Sequence, residues 1–126
     1  MQAEVMLFVR DVPKSSAFLQ QLLGAKSGHG GDEYEMIVDD AGTLLFQLHR
    51  VDGDEHGVEL REDTPRGAGV LVYVRVDDVR AVFRRAQDMN ADIVTQPEYN
   101  PLAYHTEFVV RDLDGYGLAI YTRGKH

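Results

Sequence analysis

The sequence predicts an α+β fold of two similar halves, each with one helix packed on one face of a curved mixed sheet. The first observation is a repeat, because residues 70–75 (VLVYVR) match residues 5–10 (VMLFVR) class for class. The second is that each copy is followed by an Asp and then by an apolar stripe at helical spacing. The third is a pair of similar turns between strand patterns, DDAG at 39–42 and DLDG at 112–115.

The first half has the pattern of a strand, a helix and three further strands. Residues 4–10 alternate between β-branched or aliphatic positions and mixed positions, which is typical of a half-buried strand. Asp11 is a favourable N-cap, residues 18–23 carry an apolar stripe, and Gly24 is placed to end the helix. The remaining strands are expected at 25–31 (a brief edge strand or a loop), 32–38 and 43–50.

The second half repeats this order. Its first strand is expected from residue 69, followed by a helix that either Asp77 or Asp78 caps. A short strand at 91–94 then precedes a loop that contains two prolines and two tyrosines, at 96–104. The last two strands are expected at 105–111 and 116–122.

The length of 126 residues is typical of one domain, so we expect a single domain that spans 1–126. Module one is expected at 1–50 and module two at 69–126. Residues 51–68 between them are dominated by acidic residues, Gly and Pro, which predicts a linker. This linker is long for a compact domain, and it would either fold against the surface or change conformation between assemblies.

Composition excludes several classes of protein. The formal net charge is −8, whereas nucleic-acid-binding proteins present a basic face, so no nucleic-acid partner is expected. No apolar run approaches the roughly 18 residues of a membrane helix, and no signal-peptide pattern is present, so we expect no membrane contact and a cytoplasmic location. The absence of Cys excludes disulfides and thiol nucleophiles. The acidic charge suits a cationic or neutral ligand, or serves solubility alone.

The predicted strand faces that point away from the helices are polar and aromatic, as ligand cavities tend to be. Two tyrosines of the 96–104 loop are further candidates. His105 would either contact a ligand or be an exposed residue at a strand end, and the orientation of Glu107 stays open. His29 and His56, in Gly-rich segments, are expected to be solvated.

Three stretches resemble the vicinal oxygen chelate superfamily, which includes glyoxalase I, bleomycin-resistance proteins, extradiol dioxygenases and fosfomycin-resistance proteins. They are the opening VMLFVRDVPKSSAFLQQLLGA, the internal VYVRVDDVRAVFRRA and the closing TEFVVRDLDGYGLAIY. The closing stretch has Leu113 where the common family form has Pro. The resemblance implies two βαβββ modules whose sheets curve around a cavity, with the helices on the outer face. It also implies a homodimer, sometimes with modules exchanged between chains.

The resemblance also raises the question of a metal. Many enzymes of the family hold one divalent ion with a His, Glu or Gln from the first and last strand of each module, and the ion stabilises an enolate-like or oxyanion charge. Matching the motifs places the four positions at Glu4, Gln47, Leu71 and Ala119. Because Leu and Ala offer no donor atom, no metal and no cofactor are expected, even if His49 replaces Gln47.

We therefore expect a small-molecule binding protein of the bleomycin-resistance type, which sequesters an aromatic or planar ligand such as an antibiotic without a metal. The expected ligand-binding residues are Glu4, Met6, Phe8, Gln47, His49, Tyr73, Arg75, Tyr99, Tyr104, His105 and Tyr121. The alternative is a glyoxalase-like lyase, isomerase or dioxygenase, with an incomplete or dimer-completed metal site or with metal-free acid–base chemistry by Glu4 and His49. A third alternative is a sensor or accessory domain whose cavity is vestigial. No catalytic residue is assigned.

Overall fold

A computed structural model describes residues 1–51, 55–58, 60–61 and 63–126. The chain divides into two compact units, Met1–Pro65 (unit 1) and Arg66–His126 (unit 2). Each unit has one helix and one mixed sheet, so the predicted α+β class and the repeated βαβββ order are confirmed. The boundary between the units falls within the predicted linker 51–68, of which positions 52–54, 59 and 62 lie outside the described residues.

Unit 1 contains a four-stranded sheet with the strand order β1-β4-β3-β2. Its elements are β1 (Met6–Val9), α1 (Val12–Leu23), β2 (Lys26–His29), β3 (Tyr34–Val38), β4 (Leu44–Arg50) and a 3₁₀ turn (Glu55–Gly57). β1 pairs with β4 in parallel, and the other pairs are antiparallel. The parallel pair is possible because α1 makes the crossover between the two edges that a hairpin cannot make.

The first helix begins and ends where the sequence predicts. The Asp11 carboxylate accepts a hydrogen bond from the Lys14 N–H at 3.0 Å, which satisfies one free donor of the first turn. Gly24 ends the helix in the left-handed conformation at φ 69°, and its N–H donates to the Gln20 carbonyl at 2.9 Å. The helix packs on β3 and β4, where burying a large apolar side chain such as Leu19 contributes about 1.5–3 kcal/mol.

One charged residue lies in this apolar layer. Glu35 on β3 is 4% exposed and lies on the face that α1 covers. Its carboxylate accepts hydrogen bonds from the Ser16 hydroxyl at 2.9 Å and from the Ser27 hydroxyl at 2.8 Å. The carboxylate therefore ties α1 and β2 to the centre of the sheet, as a buried charge must be tied to be tolerated.

Unit 2 contains a five-stranded sheet. Four of its strands have the order β5-β9-β8-β6, and the fifth, β7, also pairs with β8. Its elements are β5 (Leu71–Arg75), α2 (Val79–Asp88), β6 (Asp92–Ile93), β7 (Glu98–Asn100), β8 (His105–Arg111) and β9 (Gly117–Arg123). β5 pairs with β9 in parallel, which repeats the β1–β4 arrangement of unit 1. Asp78, rather than Asp77, caps α2 by accepting from the Ala81 N–H at 3.1 Å.

The prediction of a loop at 96–104 was wrong for its middle part, because β7 forms there and pairs with β8. Pro97 and Pro101 flank the strand, so neither removes a hydrogen-bond donor from it. The turn back to β8 is closed by the Leu102 N–H, which donates to the Asn100 side chain at 3.0 Å. The prolines that suggested a loop therefore mark the two ends of a three-residue strand.

The turns that join the last two strands of each unit have the same pattern of hydrogen bonds. Asp39 accepts from the backbone N–H groups two and four residues ahead, at 2.9 and 2.8 Å. Asp112 does the same towards Asp114 and Tyr116, at 3.0 and 2.8 Å. The two carboxylates differ in environment, since Asp39 is half-buried and Asp112 is 7% exposed.

Candidate functional site

In unit 1, several predicted ligand-binding residues share the sheet face opposite α1. Register places Met6 opposite Gln47 and Phe8 opposite His49. The rings of Phe8 and His49 are 5.5 Å apart, and the His56 ring meets His49 edge-on at 5.2 Å. His56 is exposed, as expected, but it also contacts this aromatic group. These rings form a small polar-aromatic patch on unit 1.

Two members of the unit 1 set are held by neighbours. The Gln47 side-chain oxygen accepts a hydrogen bond from the Tyr34 hydroxyl at 2.7 Å. His49 Nδ1 lies 2.8 Å from the Arg50 carbonyl oxygen, which can only accept, so the proton is on Nδ1. Glu4 is exposed and precedes β1, so the register does not bring it opposite His49. The structure therefore does not assemble the acid–base pair of Glu4 and His49.

In unit 2, three predicted residues meet around one carboxylate that the sequence left open. Glu107 accepts a hydrogen bond from the Tyr73 hydroxyl at 3.2 Å, and its Oε1 lies 2.6 Å from His105 Nε2. The Tyr121 ring lies 4.8 Å from the His105 ring and 5.7 Å from the Tyr73 ring. Glu107 thus points to the face that carries Tyr73. Its hydrogen bond with Tyr73 joins β8, inside the sheet, to β5 at the edge of the sheet.

The Glu107 carboxylate changes the acidity of Tyr73. Burial raises the pKa of the Tyr73 hydroxyl, and the negative charge of Glu107 and the hydrogen bond to it raise that pKa further. The phenol is therefore protonated at neutral pH, and it acts as a hydrogen-bond donor. Since the residue is 49% exposed, this donor faces solvent as well as its carboxylate partner.

A cleft of about 470 Å³ opens beside this group in unit 2. Its lining consists of Tyr73, Thr95, Gln96, Glu98, Tyr99, Asn100, Pro101, Glu107 and Val109. These residues come from β5, β7 and β8 and from the segments on either side of β7. The volume is in the range of small-molecule sites, and the lining combines two aromatic rings with several polar groups.

The polar groups of the cleft are mainly acceptors. Glu98 and Glu107 are directly opposite each other across the antiparallel pair β7–β8, so their side chains share one face of the sheet. The Glu107 side chain is 20% exposed, and Glu98 is exposed. Like charges at directly opposite positions destabilise a strand pair, and the contacts of Glu107 with His105 and Tyr73 oppose this effect.

Of the other predicted residues of unit 2, Tyr99 lines the cleft, whereas Tyr104 and Arg75 do not. Tyr99 lines the cleft, and the Lys125 ammonium lies 5.1 Å from the centre of its ring. Tyr104 is 72% exposed and has a positive φ of 55°, and it is not among the residues that line the cleft. Arg75 is exposed at the end of β5, opposite Tyr121.

The residues present do not fit the four-ligand metal site that the resemblance implies. Leu71 and Ala119 carry no donor atom, and the Gln47 oxygen is already engaged by Tyr34. Across the described ranges, no group of three or more His, Cys, Asp or Glu side chains is placed to hold a metal ion. We therefore derive no chemical step through a metal.

Sequence reasoning missed Glu98 and Asn100 as cleft residues, because both fall in the segment predicted to be a loop. It also left Glu107 undecided, although the signal was present in the printed sequence. His105 and Glu107 are two residues apart on one predicted strand, so they must share a face.

None of the helices in the described residues is long and apolar enough to cross a membrane.

Comparison with solved structures shows the fold. A protein of unknown function from Agrobacterium tumefaciens str. C58 is 21% identical with a TM-score of 0.76, and the match covers 97% of this chain and 94% of that one. TioX from Micromonospora sp. ML1 is 21% identical with a TM-score of 0.71, covering 100% and 98%. The fosfomycin resistance protein FosX from Listeria monocytogenes is 16% identical with a TM-score of 0.68, covering 97% and 92%.

Comparison with curated proteins finds no match. The family model of the Glyoxalase/Bleomycin resistance protein/Dioxygenase superfamily matches residues 2–120, which is nearly the whole chain. This match confirms the family that the three sequence stretches resemble. The chain belongs to the glyoxalase/bleomycin resistance protein/dioxygenase superfamily.

Proposed function

We propose that this protein binds a small planar or aromatic molecule and acts by sequestration, without a metal. The observation that carries the proposal is the cleft of about 470 Å³ in unit 2, with the Tyr73 and Tyr99 rings among its lining. Aromatic walls with a few oriented polar groups are what recognition of a planar ligand requires. The name of FosX, a fosfomycin resistance protein of the same fold, is compatible with a resistance role.

The cleft supports binding because its walls are held in place before a ligand arrives. Tyr73 is fixed by its hydrogen bond to Glu107 at 3.2 Å and by the Tyr121 ring at 5.7 Å. Glu107 is fixed in turn by His105. A side chain that is already ordered loses less conformational entropy on binding, so the preorganised wall favours affinity.

The test is a thermal-shift screen of planar aromatic compounds, followed by measurement of Kd for the hits. Tyr73→Ala removes a stacking surface and should weaken binding by about ten-fold, since an aromatic pair contributes about 0.5–1.5 kcal/mol beyond burial. Tyr121→Ala removes a ring that supports Tyr73 but does not line the cleft, so it should weaken binding less. Tyr104→Ala is the matched control, because it makes the same substitution at an exposed tyrosine outside the lining. Unchanged affinity in both Tyr73→Ala and Tyr121→Ala would contradict the proposed site.

A second function, metal-independent proton transfer, is favoured by the contact of 2.6 Å between His105 Nε2 and Glu107 Oε1. In this function Glu107 would accept a proton from a carbon next to a carbonyl group, and the Tyr73 hydroxyl would turn from Glu107 to donate its one hydrogen bond to the carbonyl oxygen. Proton NMR in D₂O would detect it as exchange of that hydrogen in simple ketones, lost in Glu107→Gln. A rate equal to that of buffer alone would exclude this function for the ketones used.

We also propose that the protein is a cytoplasmic homodimer, as members of the superfamily commonly form dimers. The mass from light scattering after size exclusion tests the assembly. Twice the mass of 14.2 kDa supports a dimer, and a mass near 14.2 kDa at all concentrations contradicts it.

A further inference from the structure

We propose that the ligand of the unit 2 cleft is a planar aromatic cation, held between the Glu98 and Glu107 carboxylates and against the tyrosine rings. This inference rests on the proposed binding function and specifies the chemical class of the ligand.

The lining provides negative charge without a balancing positive charge. Its nine residues include Glu98 and Glu107, and none of the residues described as lining the cleft is Lys, Arg or His. His105 contacts Glu107 but is not part of that lining. A bound molecule therefore meets carboxylates, a phenol, amides and aromatic rings, a set that favours cationic and donor groups.

The strand register brings the two carboxylates to neighbouring positions on one face of the sheet. Glu98 and Glu107 are directly opposite partners on β7 and β8, where like charges repel. A cationic group between them would relieve this repulsion and donate a charge-assisted hydrogen bond to each carboxylate. Binding of a cation would therefore offset the destabilisation that the repulsion between Glu98 and Glu107 causes without a ligand.

The chain already places a cation on one ring of the cleft. The Lys125 ammonium lies 5.1 Å from the centre of the Tyr99 ring, within the distance of a cation–π contact. This contact shows that the Tyr99 ring is a cation–π partner in the folded chain. A flat cationic ligand can contact the Tyr73 ring and the two carboxylates, and it has to displace the Lys125 ammonium to use the face of Tyr99 that this ammonium covers.

Three fused-ring probes of similar shape test the charge requirement by fluorescence anisotropy: proflavine (a cation), acridone (neutral) and acridine-9-carboxylate (an anion). We expect proflavine to bind about ten-fold more tightly than acridone, with the anion weakest. The double variant Glu98→Gln/Glu107→Gln should remove the preference. The control Asp77→Asn/Asp88→Asn makes the same change in net charge at two exposed residues of unit 2 and should keep it.

The outcomes separate this inference from the proposed function. Equal affinity for proflavine and acridone would overturn the cation requirement and leave a planar-ligand protein. A preference that persists in Glu98→Gln/Glu107→Gln, or disappears equally in the control, would show that overall charge attracts the probe, which contradicts the assigned carboxylates. Failure of all three probes to bind would contradict both proposals.

Discussion

Replacing Asp112 by Asn should change how the stability of the protein depends on pH. Burial raises the pKa of this carboxyl to about 6, and the nearby Asp114 charge adds to the effect, while backbone hydrogen bonds from Tyr116, Asp114 and Gly115 oppose it. Among the described residues, Asp112 Oδ2 is buried without a hydrogen-bond partner. Desolvation of the charge therefore dominates the balance at this position.

The magnitude follows from linkage between protonation and folding. The folded carboxyl holds its proton up to about pH 6, whereas the reference value for an unfolded Asp is 3.8. Because each pKa unit corresponds to about 1.36 kcal/mol, the difference corresponds to about 3 kcal/mol. The sign is that of a raised pKa: the contribution is fully present below the unfolded pKa and is lost as pH rises through the folded pKa.

The assay is urea unfolding of wild type and Asp112→Asn from about pH 4 to about pH 7. Asn keeps an oxygen that can accept from Asp114 and Tyr116, so the turn is preserved. The free energy of unfolding of wild type minus that of the variant should fall by about 2.4 kcal/mol across this range, because part of the total effect is already lost at pH 4. Asp39→Asn is the matched control, since it makes the same change in the equivalent half-buried turn. A flat difference for Asp112→Asn would refute the reasoning.

Four further predictions follow from single contacts. Glu35→Ala should lower the free energy of unfolding by about 2 kcal/mol, since it removes the acceptor of the buried Ser16 hydroxyl and of the exposed Ser27 hydroxyl, and chemical denaturation measures this. Glu107→Gln should lower the pKa of Tyr73 by removing a charge and its hydrogen bond, which ultraviolet titration of the phenol would show; an unchanged value would contradict the contact. Asp11→Ala and Asp78→Ala should each lower the free energy of unfolding by about 1 kcal/mol, whereas substitutions of exposed residues that do not cap a helix should leave it unchanged. Dialysis against EDTA should leave Tm unchanged, and a drop would mean that a metal is held.

The first helix could be predicted almost to the residue, and the start of the second to within one residue, because helix boundaries depend on local chemistry. Asp11 and Gly24 act on neighbours within four residues, so no tertiary information was needed to place them. The repeat predicted the order of elements for the same reason, since it reproduces a strand, a cap and a helix in one continuous stretch. Strand β7 was missed because its three residues form a strand only by pairing with β8.

The site was harder to predict than the fold because it depends on which strands become neighbours. The sequence showed that Tyr73 and Tyr121 were candidates, and the structure places their rings 5.7 Å apart. It did not show that Glu98 would lie opposite Glu107, because the register of a strand pair is set by the turn and the sheet around it. Glu4 was placed within the first strand by alternation, yet β1 begins at Met6.

The measurement that tests the central claim most directly is a two-dimensional ¹H–¹⁵N NMR titration of the protein with proflavine. If the unit 2 cleft is the binding site, saturable shift changes should be concentrated in the amides of the non-proline residues of 95–101 and of residues 107–109, the segments that supply most of its lining. Shift changes confined to the unit 1 face around Phe8 and His49, or no saturable change, would contradict the claim.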